Sequence, residues 1–403
     1  MSPMTLVKDA ANCSGCGACM TVCPTQAITM EADQYGCLYP RIDENACVQC
    51  GKCMGVCGYQ KPVSGAKPFA AYAAAGNNDA LVQESASGGV FASLAKGCLA
   101  DGGVIAGAVL DCAESHADVY HVLSDRMEDL HRMQGSKYVQ SEAWRCYRDI
   151  LQAVKAGKTV LFSGTPCQVV AVKQLTGDPE NLITMDLVCH GVPPVQMLND
   201  YMKILGKRFG GRITQFRFRD KSSPKNFCAR IGLRKKKRES CFLLRSQYIS
   251  FYKFFLDGSI YRENCYCCPH ASLERVADIT IGDYWGIDAF HGADIAGGRM
   301  PARKDWSCVL VNTEKGARFL ERYADELYLV PTEVSWVAQN NQQLNRPSEK
   351  NEKRDMLLQN YVQSGYGAVE ASFIKGFGGS IPFYWRMLKN LRVYKKAKNF
   401  GKE

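Results

Sequence analysis

The chain has 403 residues, of which 46% are hydrophobic and 22% charged, and it carries a net charge of +10 at pH 7. This length predicts two or three domains rather than one core, and a composition without low-complexity tracts excludes fibrous and disordered proteins. No 18 consecutive residues are apolar, which argues against a membrane span. The modest positive charge suits a bland surface as well as attraction to an acidic protein or an anionic cofactor.

The number of cysteines bears on the compartment. Twenty cysteines would suit a disulfide framework in a short secreted protein. Here eight of them have the spacing of thiolate ligands, and the opening MSPMTLVKDAAN lacks the long apolar core of a secretory signal. The sequence therefore predicts a protein of a reducing cytoplasm.

The first predicted module contains an internal duplication of cysteines. Each of two runs reads C-x2-C-x2-C-x3-C, and each cysteine of the second run lies 34 positions after its counterpart. The runs are Cys13, Cys16, Cys19 and Cys23, followed by Pro24, and Cys47, Cys50, Cys53 and Cys57, followed by Gly58. This is the spacing of bacterial two-cluster ferredoxins, in which three thiolates come from one run and the fourth from the other.

This pattern predicts two 4Fe-4S clusters. One would be held by Cys13, Cys16, Cys19 and Cys57, and the other by Cys47, Cys50, Cys53 and Cys23. The irons are soft, each needs a thiolate, and a short loop brings three thiolates to adjacent corners of a cluster. The alternative is a pair of tetrahedral zinc sites, which usually take separated C-x2-C pairs.

The domain boundaries follow from changes in composition. Residues 1–62 are predicted to be the two-cluster module, and a segment with Pro62, Gly65 and Pro68 has the composition of a linker. Residues 68–165 and 166–330 are predicted to be the two parts of an α/β domain. Residues 331–403 are predicted to be a helical, basic C-terminal region.

In the first part of the α/β domain, strand and helix patterns alternate. Buried strands are predicted for VIAGAVL (104–110), TVLFSG (159–164) and LITMDLV (182–188). Helices are predicted from 142 to about 155, with Ser141 as N-cap, and from 166 through 175, with Thr165 as N-cap. This alternation predicts an α/β fold, α+β overall, with some parallel pairing.

From about Ile213 the pattern changes to short runs. ITQFRFRD, FCARIGLR and SCFLLRS predict an antiparallel meander, followed by a helix from about Gln247 to Leu256 and by strands ADITIG and SCVLVNT. RKKKR (234–238) is more typical of a solvated hairpin tip than of a phosphate-binding patch. For the basic, amphipathic end FYWRMLKNLRVYKKAKNF we expect packing on the body of the protein, with a membrane-surface role as the alternative.

A third group of cysteines is predicted at Cys167, Cys189, Cys265 and Cys268. Cys167 falls in the first turn of its helix, where the macrodipole lowers a thiol pKa, and Cys189 ends a buried strand. These four are one metal centre, buried structural cysteines or a redox-active thiol pair. Cys267 lies inside the C-x2-C pair and is a possible substitute for either neighbour. The other cysteines are interpreted as core residues: Cys37, Cys98, Cys112, Cys146, Cys228, Cys241 and Cys308.

Two short stretches suit a cofactor. SASGG (85–89) precedes the helical pattern VFASLAKGCLA, and a glycine pair there either holds a phosphate or forms a capped tight turn. In GSKYVQS (135–141), Lys137 suits the N1 edge of a reduced flavin and Tyr138 can stack on its ring. The alternative for Lys137 is a surface strand lysine.

The motifs SASGGVFASLA, GSKYVQS, VLFSGTPCQVV, DLVCHGVP, CYCCP and DITIGDYWG occur in this order. Together they resemble the coenzyme F420 hydrogenase/dehydrogenase beta subunit family over about residues 70–330. The resemblance implies an iron-sulfur flavoprotein with a third 4Fe-4S cluster at the four cysteines of the third group. It also implies FAD contacts at Ser87, Gly88, Gly89, Ser136, Lys137 and Tyr138, of which Lys137 and Tyr138 would act in catalysis. Asp283 and Trp285 match the family's strand-end motif, and His190 is either a proton shuttle or a hydrogen-bonded strand-end histidine.

The function expected from this resemblance is an oxidoreductase that passes electrons between 4Fe-4S clusters and a two-electron substrate such as coenzyme F420 through FAD. Its partners would be ferredoxin or another redox protein and a small hydride donor or acceptor, in a homo-oligomer or a larger complex. The alternative is an electron-transfer subunit without its own substrate. A redox-sensing nucleic-acid binder that uses RKKKR is a more distant one, so neither nucleic acid nor a membrane span is expected.

Overall fold

The computed structural model describes residues 6–7, 9–222, 227–302 and 305–394. The ends of the predicted first and last regions, residues 1–5 and 395–403, lie outside the described residues. The strands are β1 (Ile28–Ala32), β2 (Leu38–Ile42), β3 (Ala70–Gly76), β4 (Val104–Ala113), β5 (His116–Ser124), β6 (Val160–Gly164), β7 (Leu182–Leu187), β8 (Arg212–Arg217), β9 (Cys228–Lys235), β10 (Arg238–Arg245), β11 (Ile279–Asp283), β12 (Ser307–Val311), β13 (Leu327–Thr332) and β14 (Arg392–Tyr394). The α-helices are α1 (Ala18–Val22), α2 (Lys52–Gly55), α3 (Asp79–Glu84), α4 (Val90–Ala100), α5 (Met127–Met133), α6 (Trp144–Lys155), α7 (Pro166–Thr176), α8 (Val195–Phe209), α9 (Ser250–Leu256), α10 (Ile287–Ala296), α11 (Glu314–Arg322), α12 (Val334–Asn340), α13 (Arg354–Lys375) and α14 (Ser380–Lys389).

The cysteine-rich module has little apolar core. Strands β1 and β2 form one antiparallel hairpin, with Ile28 opposite Ile42, and helices α1 and α2 each follow a cysteine loop. Only Leu6, Ile28 and Cys53 are fully buried in the apolar cluster of this module. We therefore expect metal ligation to supply much of its stability.

An eight-stranded mixed sheet forms the centre of the rest of the chain, in the order β13-β3-β12-β11-β7-β6-β4-β5. Strands β4, β6, β7 and β11 are parallel neighbours, and antiparallel strands complete both edges. The parallel strands are almost continuously apolar because helices cover both faces. The predicted α/β fold is confirmed.

The predicted boundary at 165/166 falls inside this sheet. Strand β6 ends at Gly164 on one side of it, and β7 lies on the other, yet β6 and β7 are hydrogen-bonded neighbours. Similarly, β13 spans the predicted boundary at 330/331 and pairs with β3. The two parts of the α/β domain therefore share one sheet.

The predicted meander is confirmed as a second, antiparallel sheet in the order β14-β10-β9-β8. The RKKKR segment ends β9 and begins β10, with Lys236 and Lys237 exposed at the tip of the hairpin. Aromatic side chains fill the core beneath this sheet, among them Phe216, Phe218, Phe242, Phe251 and Phe383. In the part of the chain that the structure describes, no helix has the length and apolar composition needed to cross a membrane.

Two predicted helix starts are wrong. Helix α6 begins at Trp144 after Ala143, because the Ser141 hydroxyl contacts His121 and Gln168 instead of capping the helix. Helix α9 begins at Ser250, after a 3-10 turn over Ser246–Tyr248. The predicted helix after Thr165 is confirmed as α7 and ends one residue later than expected.

Candidate functional site

The eight cysteines of residues 13–57 divide between two cavities. The inner cysteine cavity, of about 560 Å³, is lined by Cys13, Cys16, Cys19 and Cys57. The outer cysteine cavity, of about 330 Å³, is lined by Cys23, Cys47, Cys50 and Cys53. The structure thus groups the fourth cysteine of each run with the first three of the other. Gly17 precedes α1 with a φ of 76°, and a Cβ there would lie 2.5 Å from the Trp144 ring, so only glycine permits this close packing.

The cysteine side chains surround space rather than a single point. Within the described ranges, no three His, Cys, Asp or Glu side chains converge on a position for one metal ion. Four soft thiols spread around one cavity suit the corners of a 4Fe-4S cube. Burial raises the pKa of Cys16 to about 12, so a metal rather than water would have to displace its proton.

The third group of cysteines also lies together, although it comes from three separate stretches of chain. Burial raises the pKa of Cys189 to about 12, and the nearby Cys167 and Cys268 thiols raise it further. Burial also raises the pKa of Cys265, which in addition interacts with the other three thiols. We call Cys167, Cys189, Cys265 and Cys268 the third cysteine group.

Cys267 does not belong to this group. Its side chain is exposed, and its Sγ lies 3.7 Å from the carbonyl oxygens of Ala11 and Asn264. The 3-10 turn over Glu263–Cys267 turns this side chain away from its two neighbours. The pair that faces the other two thiols is therefore Cys265 and Cys268.

The third cysteine group adjoins the inner cysteine cavity. Cys167 lines that cavity as well as contributing to the group. Burial, and then the Cys167, Cys268 and Cys265 thiols, raise the pKa of Tyr59, a residue of the cysteine-rich module. The outer cysteine cavity lies at the surface, where Cys50 is exposed and Val48 is 63% exposed.

Arg262 is buried where the module meets the large sheet. Its guanidinium donates to the Cys13 carbonyl oxygen at 3.1 Å and to Gln140 Oε1 at 2.9 Å, and it lies 4.6 Å from the centre of the Tyr39 ring. No carboxylate among the described residues forms an ion pair with it, although an isolated buried charge is costly. Its electrostatic neighbours include Cys13 of the inner cysteine cavity and Cys265 of the third cysteine group.

A chain of buried polar groups supports the helix that presents Cys167. Gln168 Nε2 donates to Ser141 Oγ at 3.0 Å, and Ser141 Oγ lies 3.1 Å from His121 Nδ1. The other ring nitrogen of His121 lies 3.1 Å from the Ser163 carbonyl oxygen. Burial lowers the pKa of His121 to about 4.

We therefore expect His121 to destabilise the protein in acid. In the unfolded chain a histidine binds a proton near pH 6.5, whereas the buried His121 binds one only near pH 4. Stability is thus lost as the pH falls from about 6.5 to about 4, by about 2 kcal/mol at pH 5. Urea unfolding at pH 7 and pH 5 should show this component in the wild type and in the exposed control His116→Gln. It should be missing in His121→Gln, and an equal pH dependence in all three proteins would refute the assignment.

A buried ion pair holds the loop after the C-x2-C pair against β7. Asp186, three residues before Cys189, accepts a hydrogen bond from Arg275 Nη2 at 2.8 Å, and both side chains are fully buried. Arg275 also donates to the carbonyl oxygens of His270 and Ser272. This pair fixes the loop of the third cysteine group relative to the strand that presents Cys189.

Replacing Asp186 should be strongly destabilising. Asp186→Asn leaves the Arg275 charge buried without a carboxylate, and we expect a loss of about 3 to 5 kcal/mol in the free energy of unfolding. The control is Glu180→Gln, because Glu180 forms an exposed pair with Arg318 at 2.8 Å and should contribute less than about 1 kcal/mol. Urea unfolding measures both, and similar small losses would show that the buried pair is dispensable.

The predicted flavin contacts Ser87, Gly88 and Gly89 form a tight turn before α4. The Gly88 N–H donates to Ser307 Oγ at 3.0 Å, and Ser87 Oγ donates to the Trp306 carbonyl oxygen at 3.2 Å. A Cβ on Gly88 would lie 2.5 Å from a carbonyl oxygen of β3. The turn is thus packed closely against β3 and β12, and two of its polar groups already have protein partners.

Ser136, Lys137 and Tyr138 lie in the loop after α5. The Lys137 ammonium donates to carbonyl oxygens at the end of this helix, at 2.6 to 3.0 Å, those of Arg132, Met133 and Gln134. Burial lowers the pKa of Lys137 to about 7, so it is not the surface strand lysine of the alternative. Tyr138 stacks on Phe255, with 4.5 Å between the ring centres.

Three basic side chains that the sequence analysis missed lie beside this turn and loop. Lys221 Nζ donates to the Ser87 carbonyl oxygen at 2.6 Å, and Arg219 pairs with Asp283 at 2.8 Å. Arg217 pairs with a glutamate of α3, and an added Cβ on Gly135 would lie 3.8 Å from its guanidinium. The alternation R-F-R-D-K, which places these three side chains on one side of a strand, is the signal that could have revealed them.

An open cavity of about 840 Å³ lies beside the third cysteine group. His190, Trp285 and Leu256 line it, together with a run of amide side chains at 340–343. Asp283 ends β11 and His190 follows β7, and because these strands are parallel neighbours their carboxyl ends meet at one edge of the sheet. The strand-end residues named in the sequence analysis therefore lie together. We call this space the amide-lined cavity.

Two known families match the chain. Residues 12–61 match the 4Fe-4S dicluster domain, and residues 157–335 match the C-terminal domain of the coenzyme F420 hydrogenase/dehydrogenase beta subunit. No curated protein matches the chain. A chain in the structure of the F420-reducing NiFe hydrogenase complex from Methanosarcina barkeri, studied by xenon derivatization, is similar, with 16% sequence identity and a TM-score of 0.43. That alignment covers 78% of this chain and 94% of the other.

These matches cover the two regions in which the cysteine spacing and the ordered motifs predicted them. The N-terminal match contains all eight cysteines of the two runs, and the longer match contains the third cysteine group. The chain is a redox protein that belongs to the coenzyme F420 hydrogenase/dehydrogenase beta subunit family and carries a 4Fe-4S dicluster domain ahead of the family's C-terminal domain.

Proposed function

We propose that the protein is an iron-sulfur flavoprotein oxidoreductase with a single electron path through the chain. The path would run from the outer cysteine cavity to the inner cysteine cavity, then to the third cysteine group, FAD and a two-electron substrate, in either direction. The position of Cys167 carries this proposal, because this residue lines the inner cysteine cavity and also lies among the thiols of the third group. A metal centre at each location would leave no long gap between module and sheet.

The proposed cluster ligands are the cysteines that the structure brings together. Cys13, Cys16, Cys19 and Cys57 would hold one 4Fe-4S cluster, Cys23, Cys47, Cys50 and Cys53 the second, and Cys167, Cys189, Cys265 and Cys268 the third. The outer cysteine cavity is the proposed entry for ferredoxin or another redox protein, because Cys50 and Val48 are exposed there.

We propose FAD contacts at Ser87, Gly88, Gly89, Ser136, Lys137 and Tyr138. When bound, a flavin exchanges two electrons with an organic substrate and one with a cluster. The chain would bind the anionic part of the cofactor near Arg217, Arg219 and Lys221, whose three positive charges lie beside the turn and loop. Arginine and lysine are suited to phosphate oxygens. Lys137 would need to give up carbonyl contacts of α5 in order to reach a flavin.

The amide-lined cavity is the proposed place for a small hydride donor or acceptor such as coenzyme F420. It lies between the third cysteine group and the ion pair of Arg219 with Asp283, and the partly exposed Trp285 offers a flat apolar surface for a ring. A second candidate function is an electron-transfer subunit without its own substrate, in the cytoplasm and in a larger complex. The matched family is described as a beta subunit, which favours it.

Anaerobic purification tests the proposal. Iron, sulfide and flavin analysis should give about twelve irons and one FAD per chain. Reduced F420, NADH, NADPH or reduced ferredoxin, added one at a time, should bleach the visible spectrum, and the compound that does so is the physiological donor. Bleaching that requires a second protein would indicate the electron-transfer subunit. A colourless, zinc-containing protein would refute both functions.

A further inference from the structure

Helix α14 presents a second apolar face to solvent. Ile381, Trp385 and Leu388 are 85%, 64% and 58% exposed, and their spacing of four and three residues places them on one side of the helix. Another side of the same helix, with Phe383 and Met387, is fully buried against the aromatic core. The expected packing on the body of the protein thus accounts for one face of α14 and leaves the other without a partner among the described residues.

Basic residues surround and follow this exposed face. The Lys389 ammonium lies 5.0 Å from the centre of the Trp385 ring, and Arg386 is exposed on the same helix. The sequence from 386 to 403 contains seven Lys or Arg residues and one Glu, a net charge of +6, which is more than half of the +10 of the whole chain. The positive charge is therefore concentrated next to three exposed apolar side chains.

We propose that α14 and the basic residues after it bind the surface of an anionic phospholipid bilayer. Tryptophan is enriched at membrane interfaces, and a helix with apolar side chains beside lysines suits the boundary between headgroups and acyl chains. Clusters of four to eight basic residues on or next to such a helix are typical of binding to anionic lipids. Helix α14 would lie in the plane of the interface, held in that orientation by its buried face.

A docked protein explains this surface less well. Five of the seven basic residues are lysines, and lysine is depleted at protein interfaces whereas arginine is enriched. A ten-residue helix is about 15 Å long, so three side chains on it cover far less than the roughly 800 Å² that each partner of a stable protein complex buries. A bilayer needs only that a few side chains insert and that many charges gather above it. This binding is independent of the clusters and the flavin, and it would hold the redox protein at a membrane surface.

Co-sedimentation with vesicles tests the proposal on the full chain. The protein should bind vesicles made of phosphatidylcholine and phosphatidylglycerol in equal parts and should not bind pure phosphatidylcholine. The double variant Ile381→Ser/Trp385→Ser should bind roughly tenfold more weakly or worse, because the inserted apolar area is lost. Binding should also weaken steeply as salt is added.

Two matched controls separate this surface from the rest of the chain. Met356→Ser removes an equally exposed apolar side chain from α13, and Lys236→Gln/Lys237→Gln removes two exposed charges at the hairpin tip. Both should bind vesicles as the wild type does. Equal binding by the α14 double variant, or equal binding to neutral vesicles, would overturn the proposal. So would a dimer in sedimentation velocity without lipid that this double variant abolishes, because a second copy would then cover the face.

Discussion

The variant Cys265→Ser should lose about four of the twelve irons that we expect per chain, whereas Cys267→Ser should keep all of them. The two cysteines are separated by one residue and would be difficult to distinguish from spacing alone. In the structure, Cys265 interacts with Cys167, Cys189 and Cys268, while the exposed Cys267 faces the carbonyl oxygens of Ala11 and Asn264. Only the first change removes a thiolate from the proposed third cluster.

Iron and sulfide analysis of anaerobically purified protein measures this difference, and EPR spectra after chemical reduction show which cluster signals remain. Cys265→Ser should retain the signals of the cysteine-rich module. It should also no longer pass electrons from reduced ferredoxin to the flavin, because the link at Cys167 is broken. Equal iron contents in the two variants would argue against a third cluster, and loss of iron from Cys267→Ser alone would exchange the ligands.

Arg262→Met should lower the reduction potentials of the two clusters that it adjoins, and Arg262→Lys should largely preserve them. The Arg262 guanidinium is buried without a carboxylate, and the Cys13 and Cys265 thiols are among its electrostatic neighbours. A positive charge about 6 to 8 Å from an added electron stabilises it by roughly 2 to 3 kcal/mol at an effective dielectric constant of 20. For a one-electron couple this corresponds to roughly 90 to 130 mV, taking 59 mV for each factor of ten.

An EPR-monitored potentiometric titration of the three proteins measures this shift. A purely structural role for Arg262 predicts a different result, because the lost hydrogen bonds to Gln140 and the Cys13 carbonyl oxygen would destabilise the protein at unchanged potentials. The metal-free protein provides a further check. Without cluster charge the buried guanidinium is uncompensated, so Arg262→Met should not be less stable than the wild type in that form.

Local patterns identified much of the fold. Strands β6 and β7 were predicted within one residue because short apolar runs between helices are typical of parallel strands. Helix α7 was predicted because threonine followed by proline is a strong helix start. Strand β3 was missed, since AAYAAAG has no strand pattern of its own and becomes a strand by pairing with β12 and β13, which lie more than 200 residues away.

The sequence by itself determined the cysteine-rich module and the family, because ligand spacing and ordered motifs are properties of the chain that need no neighbours. The tertiary structure alone decided which side chains meet. It turned Ser141 from a helix cap into part of the network with His121 and directed Lys137 to the end of α5. It also separated Cys267 from Cys265 and placed Arg262 beside both groups of thiols. These outcomes depend on burial and on contacts between distant segments, and the energy of a polar or charged side chain is set by such contacts rather than by its neighbours along the chain.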